Sequence, residues 1–167
     1  MYTKAKQEAE KIFQDFAITI APIDVKSIAE KMGIEISYAP SAKYSGMLIR
    51  KSDKKSLMGI NNNESTGRMR FTIAHELGHY ILHPRDSVNI DYRDKHHSIQ
   101  KSQKEKLADF FAANLLMPES LIKNDFNFAT KKGIFFEDDL INLADKYQVS
   151  GEAMKWRLVN LNLIPVE

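Results

Sequence analysis

The chain has 167 residues, of which 43% are hydrophobic and 28% charged, proportions typical of one compact globular domain. Its 24 Lys and Arg residues are interspersed with 22 Asp and Glu residues, so no basic patch for nucleic acid stands out. There is no cysteine, which excludes disulfides and thiolate ligands and leaves His, Asp and Glu as metal ligands. No hydrophobic run is long enough to span a membrane, and the charged start lacks a signal-peptide pattern, so we expect a cytoplasmic location.

The first third of the chain predicts two helices and then a small sheet. Hydrophobic residues at helical spacing indicate a helix over residues 3–16, and Asp24 can cap a second helix that ends at Gly33. We expect the next three short segments to form a three-stranded antiparallel sheet: IEISY, GMLIRK and SLMGIN. The predicted fold class is α+β and mainly helical.

The remainder of the chain predicts further helices. A central helix begins near Ser65 and ends before Pro84, and another runs from about Ser102 to Met117. The polar residues 85–103 between them show no periodicity and predict a mobile loop or a cover over a cleft. The last two predicted helices resemble part of a helix-turn-helix, with Lys155 and Arg157 on the second. Acidic neighbours offset that basic charge, so direct DNA binding through residues 137–160 is the less favoured interpretation.

The central helix contains the motif His75-Glu76-Leu77-Gly78-His79. A spacing of four residues places the two imidazoles on one side of a helix, about 6 Å apart along its axis, close enough to bind one zinc ion. Glu76 projects further round the helix, where it can reach a water molecule on the metal without binding the metal itself. Such a string also occurs by chance on helices of soluble proteins, so the two histidines alone do not establish a site.

The following helix offers the missing ligand. Glu105 and Asp109 share one face of that helix with small and hydrophobic residues, and two buried carboxylates require a cation or a hydrogen-bond donor. Glu105 as a zinc ligand and Asp109 as acceptor from a ligand His N–H satisfy both requirements. Gly78 lies inside the central helix at a cost of about 1 kcal/mol relative to Ala, which indicates close packing at that turn.

These residues predict hydrolysis of a peptide bond with Glu76 as the general base. The developing oxyanion needs a further donor, for which the candidates are His83, Tyr92, His96 and His97. For three of them a simpler interpretation also holds: His83 can sit in the last helical turn, and His96 and His97 can be solvated. An extended substrate is expected to pair with an edge strand containing residues 57–60.

The segments FTIAHELGHYILHP and EKLADFFAANLLMP resemble the ImmA/IrrE family of zinc metallopeptidases, and the likeness extends over most of the chain. The resemblance implies that His75, His79 and Glu105 bind one zinc ion and that Glu76 is the catalytic base. It also implies a cytoplasmic protease that cleaves a helix-turn-helix repressor of a mobile element or a stress response. Many relatives have a second acidic residue where this chain has Leu107, which leaves Glu105 as the candidate third ligand.

On this basis we expect a metallopeptidase domain over residues 1–120 and a helical subdomain over residues 121–167 packed on it. Two alternatives belong to other classes. One is a regulatory module that contacts DNA or a repressor without cutting, with zinc in a structural role. The intact Glu76 disfavours it, because a structural site needs no carboxylate beside an open coordination position. The other is a hydrolase of a non-peptide substrate.

Overall fold

The computed structural model describes residues 1–51, 55–92 and 102–166 as an α+β fold. The α-helices of these ranges are α1 (Tyr2–Asp15), α2 (Val25–Lys31), α3 (Thr66–Leu82), α4 (Gln103–Leu116), α5 (Glu119–Ala129), α6 (Glu137–Tyr147) and α7 (Gly151–Asn160). The strands are β1 (Ile34–Ala39), β2 (Tyr44–Ile49), β3 (Ser56–Asn61) and β4 (Val88–Tyr92). Within the described ranges, no helix combines the length and hydrophobicity needed to cross a membrane.

Side-chain caps begin several of these helices where the sequence predicts them. The Asp24 carboxylate accepts from the Ser27 backbone N–H at 3.0 Å, and Ser65 and Ser102 cap α3 and α4 in the same way. Gly33 follows α2 with a φ of +84°, a conformation that favours glycine. Local sequence therefore sets where the two helices of the central motif start.

The sheet differs from the prediction in strand number and in direction. It has four strands in the order β1-β3-β2-β4, and β1 pairs with β3 in parallel while the other pairs are antiparallel. The predicted three-stranded antiparallel sheet is therefore wrong in its details. Residues 40–43 can cross from β1 past β3 to β2, because two strand spacings are about 9.6 Å and four extended residues reach about 13 Å.

Strand β3 lies between β1 and β2, so residues 57–60 do not form an edge. The expected pairing of a substrate with that strand is therefore wrong. The two edge strands are β1 and β4. Strand β4 lies within residues 85–103, which the sequence predicted to be an irregular loop. Its five residues are too few for their alternation to stand out, and they become a strand by pairing with β2.

Helix α3 packs between the sheet and α4, and α1 covers α4 from the far side. Ala74 and Leu77 of α3 are buried, and so are Ala108 and Phe111 of α4, which lie against Gly78. The burial of these small and hydrophobic side chains contributes roughly 25 cal/mol for each Å² removed from water. The motif helix is thus fixed on both sides.

The predicted close packing at Gly78 is confirmed. A Cβ atom built on Gly78 would lie 3.0 Å from the Ala108 Cα and 3.1 Å from the Phe111 ring. The first of these neighbours is backbone, which cannot move without shifting α4. Glycine at this position therefore sets the distance between the two helices.

The C-terminal helices are joined to α4 through Arg157 of α7. Its Nε donates to the Met117 carbonyl at 2.8 Å, and its Nη2 donates to the Asn114 Oδ1 at 3.0 Å. Only 7% of Arg157 is exposed, so this residue points into the protein rather than toward an external partner. The division of the chain near residue 120 stays a prediction.

We predict that Gly78→Ala destabilises the metal-free protein by about 1 to 2 kcal/mol. Overpacking against the α4 backbone costs more than the roughly 1 kcal/mol that alanine gains in helix propensity. Urea unfolding measures the change. The matched control is Gly151→Ala in the first turn of α7, where a Cβ would meet nothing within 4 Å. A Gly78→Ala protein as stable as the parent would contradict the packing constraint.

Candidate metal centre

Two histidines of α3 form one side of a buried polar cluster. His75 and His79 are one helical turn apart, and their Nε2 atoms face each other at 3.1 Å. Both side chains are almost fully buried. Two buried ring nitrogens at this separation need a proton or a cation between them, since two lone pairs repel each other.

Glu105 of α4 completes the cluster. Its Oε2 lies 3.2 Å from the His75 Nε2, and its Oε1 lies 3.6 Å from the His79 Nε2. The three residues offer one ligand atom each within 4.8 Å of one another. The sequence-predicted ligand set is therefore brought together by the packing of α3 on α4.

The donor set fits a zinc ion. Zinc binds imidazole nitrogen at about 2.0 to 2.1 Å with tetrahedral angles, which separates two ligand atoms by about 3.3 Å. The observed separations of 3.1, 3.2 and 3.6 Å bracket that value. Three protein ligands also leave a fourth position open, as catalytic zinc sites do and structural sites do not.

Asp109 orients one of the histidines. Its Oδ1 lies 2.9 Å from the His75 Nδ1. An ionised carboxylate can only accept a hydrogen bond, so Nδ1 carries a proton, and in the neutral ring the Nε2 lone pair faces the cluster. This is the arrangement of a carboxylate that fixes the tautomer of a metal-ligating histidine.

The electrostatics of the cluster favour positive charge between the ligands. Burial disfavours protonation of His75, yet its hydrogen bonds to Asp109 and Glu105 outweigh burial and raise its pKa to about 10. Burial likewise opposes ionisation of Glu105, but its contacts with His75 and His79 lower the pKa of Glu105 well below the usual range. The surrounding carboxylates thus hold a cation, whether a proton or a metal ion, at this point.

Glu76 lies outside this group of three. It is fully buried, and a carboxylate oxygen lies near His75 and Asp91 rather than between the two histidines. Burial raises the pKa of Glu76 to about 7, although the charge of His75 and a hydrogen bond from Asn89 oppose the rise. A carboxyl group that titrates near neutral pH suits a group that accepts and returns a proton.

Arg50, the residue directly after β2, holds the end of the motif helix. Its Nη2 donates to the backbone carbonyls of His79, at 3.1 Å, and Tyr80, while its Nε donates to the Asp86 carbonyl at 2.9 Å. The bond to Tyr80 satisfies a carbonyl that has no helical donor, because Pro84, four residues further on, has no N–H. Sequence analysis did not identify this residue, because an arginine at the end of a strand gives no sign of which carbonyls it will meet.

The four predicted oxyanion donors have different positions. His83 is the C-terminal cap of α3, its ring lies 5.5 Å from the His79 ring between centroids, and its buried Nε2 has no hydrogen-bond partner among the described residues. Burial lowers the pKa of His83. Tyr92 ends β4 and is 42% exposed. His96 and His97 lie outside the described residues.

Sequence analysis also missed the sheet residues around Glu76. Asn89 and Asp91 of β4 and Gly46 of β2 all adjoin this carboxylate. The available signal was the alternation of Val88, Ile90 and Tyr92 with polar residues, which is typical of a strand. Nothing in the local sequence, however, places that strand beside the central helix.

A separate groove of about 1160 Å³ opens between α3, α4 and the C-terminal helices. Asp109 lies in its wall, whereas His75, His79 and Glu105 do not line it. The groove therefore runs behind the carboxylate that supports His75 and is not the approach to the metal-facing atoms.

Comparison with known proteins gives one family for most of this chain. The family described as the IrrE N-terminal-like domain, a peptidase family, matches residues 29–159. The radiation response metalloprotease IrrE of Deinococcus radiodurans is 28% identical over 135 residues, which are 80% of this chain and 39% of that protein. All residues of the cluster fall within the matched range.

The fold is shared with a solved structure, a Mycobacterium tuberculosis transcriptional regulator. The two superpose with a TM-score of 0.61 at 17% sequence identity, covering 94% of this chain and 46% of the regulator. At this identity the likeness shows the fold alone. The chain spans less than half the length of each of these two proteins.

Proposed function

The chain belongs to the peptidase family of the IrrE N-terminal-like domain, and from that premise we propose that it is a zinc-dependent endopeptidase. The observation that carries the proposal is the convergence of the His75 and His79 Nε2 atoms and the Glu105 carboxylate at zinc-ligand spacing. Glu76 lies beside them on the same helix. The family relationship supports peptide hydrolysis as the reaction class, and the geometry supports a metal ion as the group that activates water.

We assign His75, His79 and Glu105 as the ligands of one zinc ion per chain. A zinc ion held there supplies Lewis acidity, which polarises a carbonyl and lowers the pKa of a water molecule toward about 7. Asp109 keeps the His75 lone pair directed at the ligand position. The absence of cysteine from the chain leaves nitrogen and oxygen donors, which match zinc in catalytic sites.

Glu76 acts as the general base in this proposal. Its carboxylate accepts a proton from the attacking water and passes it to the leaving amine, so that one residue serves both steps. Among the oxyanion-donor candidates, His83 is favoured because its buried Nε2 has no partner in the described chain and its ring adjoins His79. In this proposal an N–H at the His83 Nε2 donates to the oxyanion that develops on the substrate.

We infer that the substrate is a helix-turn-helix repressor, presented to the site as an extended segment. In the described sheet, β4 occupies the edge beside Glu76, so an extended chain can add to it through main-chain hydrogen bonds. This replaces the pairing with residues 57–60, since those residues lie in a central strand. The name of the Deinococcus radiodurans relative, a radiation response metalloprotease, supports a regulatory role.

The alternative is a regulatory module that binds DNA or a repressor without cleaving. The shared fold with a transcriptional regulator is compatible with it. The position of Arg157 disfavours DNA contact, because its guanidinium donates to Met117 and Asn114 inside the protein. Of the two basic residues expected to face DNA, only Lys155 retains surface exposure.

We predict that the purified protein contains about one zinc ion per chain and that the His75→Ala/His79→Ala double variant loses it. A single remaining carboxylate cannot hold zinc at physiological concentrations of the free ion. Elemental analysis after gel filtration measures the content. The control is His83→Ala, one turn beyond His79 on the same helix end, which should retain zinc. Full retention in the double variant would refute the ligand assignment.

A second prediction separates ligand from base. Glu105→Ala should weaken zinc binding, whereas Glu76→Gln should keep zinc and lose at least about 100-fold in cleavage rate, since general-base catalysis contributes that much. The assay incubates zinc-loaded protein with the helix-turn-helix repressor encoded next to this gene and follows fragments by mass spectrometry. Cleavage at the parental rate by Glu76→Gln would overturn the proposed mechanism, and an uncut repressor with the parent would favour the non-cleaving alternative.

A further inference from the structure

The inner face of β4 carries two polar residues, whereas strands β2 and β3 present Leu48, Met58 and Ile60 on that face. Asn89 and Asp91 are two positions apart and therefore point to the same side, toward α3. On the neighbouring strand β2 they are paired with Leu48 and Gly46. Polar residues on a buried sheet face require partners. Asn89 bonds Glu76, whereas Asp91 adjoins Glu76 but has its ion pair with Arg68, whose Nη2 lies 3.9 Å from the Asp91 Oδ2.

Asn89 makes a direct hydrogen bond to that carboxylate. Its Nδ2 donates to the Glu76 Oε2 at 3.0 Å. An amide N–H on an ionised carboxylate is a charge-assisted bond, about twice as strong as one between neutral groups. Among the described residues of β4, Asn89 supplies the hydrogen bond to Glu76.

The other oxygen of Glu76 is left without a donor. Its Oε1 is buried and has no hydrogen-bond partner among the described residues. It lies against Gly46, where an added Cβ would be 3.3 Å from Oε1 and would overlap the Thr72 methyl group. The carboxylate therefore occupies a niche that is closed on the sheet side, bonded through one oxygen and unpaired at the other.

We infer that Asn89 is a positioning residue for the catalytic carboxylate, an inference that rests on the proposed function of Glu76 as base. A glutamate side chain has three rotatable bonds, and a general base must be held in a narrow range of orientations for proton transfer. The bond to Oε2 and the closed niche around Oε1 fix the plane of the carboxylate. Strand β4, which the sequence predicted to be a loop, thus orients the Glu76 carboxylate of the motif helix.

A purely structural role for Asn89 makes a different prediction. If Asn89 only satisfied a buried carboxylate, its loss would lower stability, and the folded fraction of the variant would turn over substrate at the parental rate. A positioning role lowers kcat in folded protein while KM and zinc content stay unchanged. The Asn89 side chain bonds Glu76 on the inner face of β4, away from the edge to which substrate would add, and it does not bond the three proposed zinc ligands. The split between kcat and KM therefore separates the two roles.

The test compares Asn89→Leu and Asn89→Asp with the parent, all zinc-loaded and confirmed as folded by circular dichroism. Leucine removes the donor with similar volume, and aspartate keeps the shape but replaces the donor with an acceptor, so either variant suffices if the other fails to fold. The substrate is the repressor used above. We expect kcat to fall by about 100-fold, the scale of a misplaced catalytic group, with parental KM and zinc content.

Two controls keep the outcome specific. Glu35→Ala changes an exposed residue of β1, at the opposite edge of the sheet from β4, and should retain parental kinetics. In a Glu76→Gln background, Asn89→Leu should cause no further loss, since the group it positions is gone. Parental kcat in a folded Asn89 variant would overturn this inference and leave the proposed function intact, whereas an inactive parent would overturn the proposed function itself.

Discussion

The close contact between α3 and α4 is the constraint on which the rest of the site depends. A helix can present two ligands one turn apart, but a third ligand to the same ion has to come from another element. Gly78 meets the α4 backbone at Ala108, where a Cβ atom on Gly78 would force the two helices apart. At that separation Glu105 reaches both imidazoles and Asp109 reaches the far side of His75.

Helix α3 presents different side chains to α4 and to the sheet, because successive residues point about 100° apart around its axis. His75 and His79 face α4, whereas Glu76 faces the sheet, where β2 and β4 form its niche. The proposed ligands and the proposed base therefore have separate supports. On that proposal, a change in the sheet would disturb proton transfer and leave the ligands in place, and a change in the contact between the helices would do the reverse.

Local features of the chain were predicted well, and long-range pairings were not. Helix caps at Asp24 and Ser65 and the stop at Gly33 depend on residues within one turn, so they can be inferred from adjacent sequence. The parallel pairing of β1 with β3 and the recruitment of β4 depend on which strands meet after folding. A five-residue strand in a polar segment has too little pattern to compete with the interpretation as a loop.

The sequence by itself determined the chemistry that this chain can offer: histidines and a glutamate at helical spacing, two carboxylates on one face of the next helix, and no thiol. Helical periodicity is a local property, which is why these sets could be recognised before the fold was known. Only the tertiary structure decided that Asn89 bonds Glu76, that Arg50 holds the carbonyls of the motif helix, and that Arg157 turns inward. Each of those contacts joins residues distant in the chain, and their approach depends on the packing of whole elements rather than on any neighbouring residue.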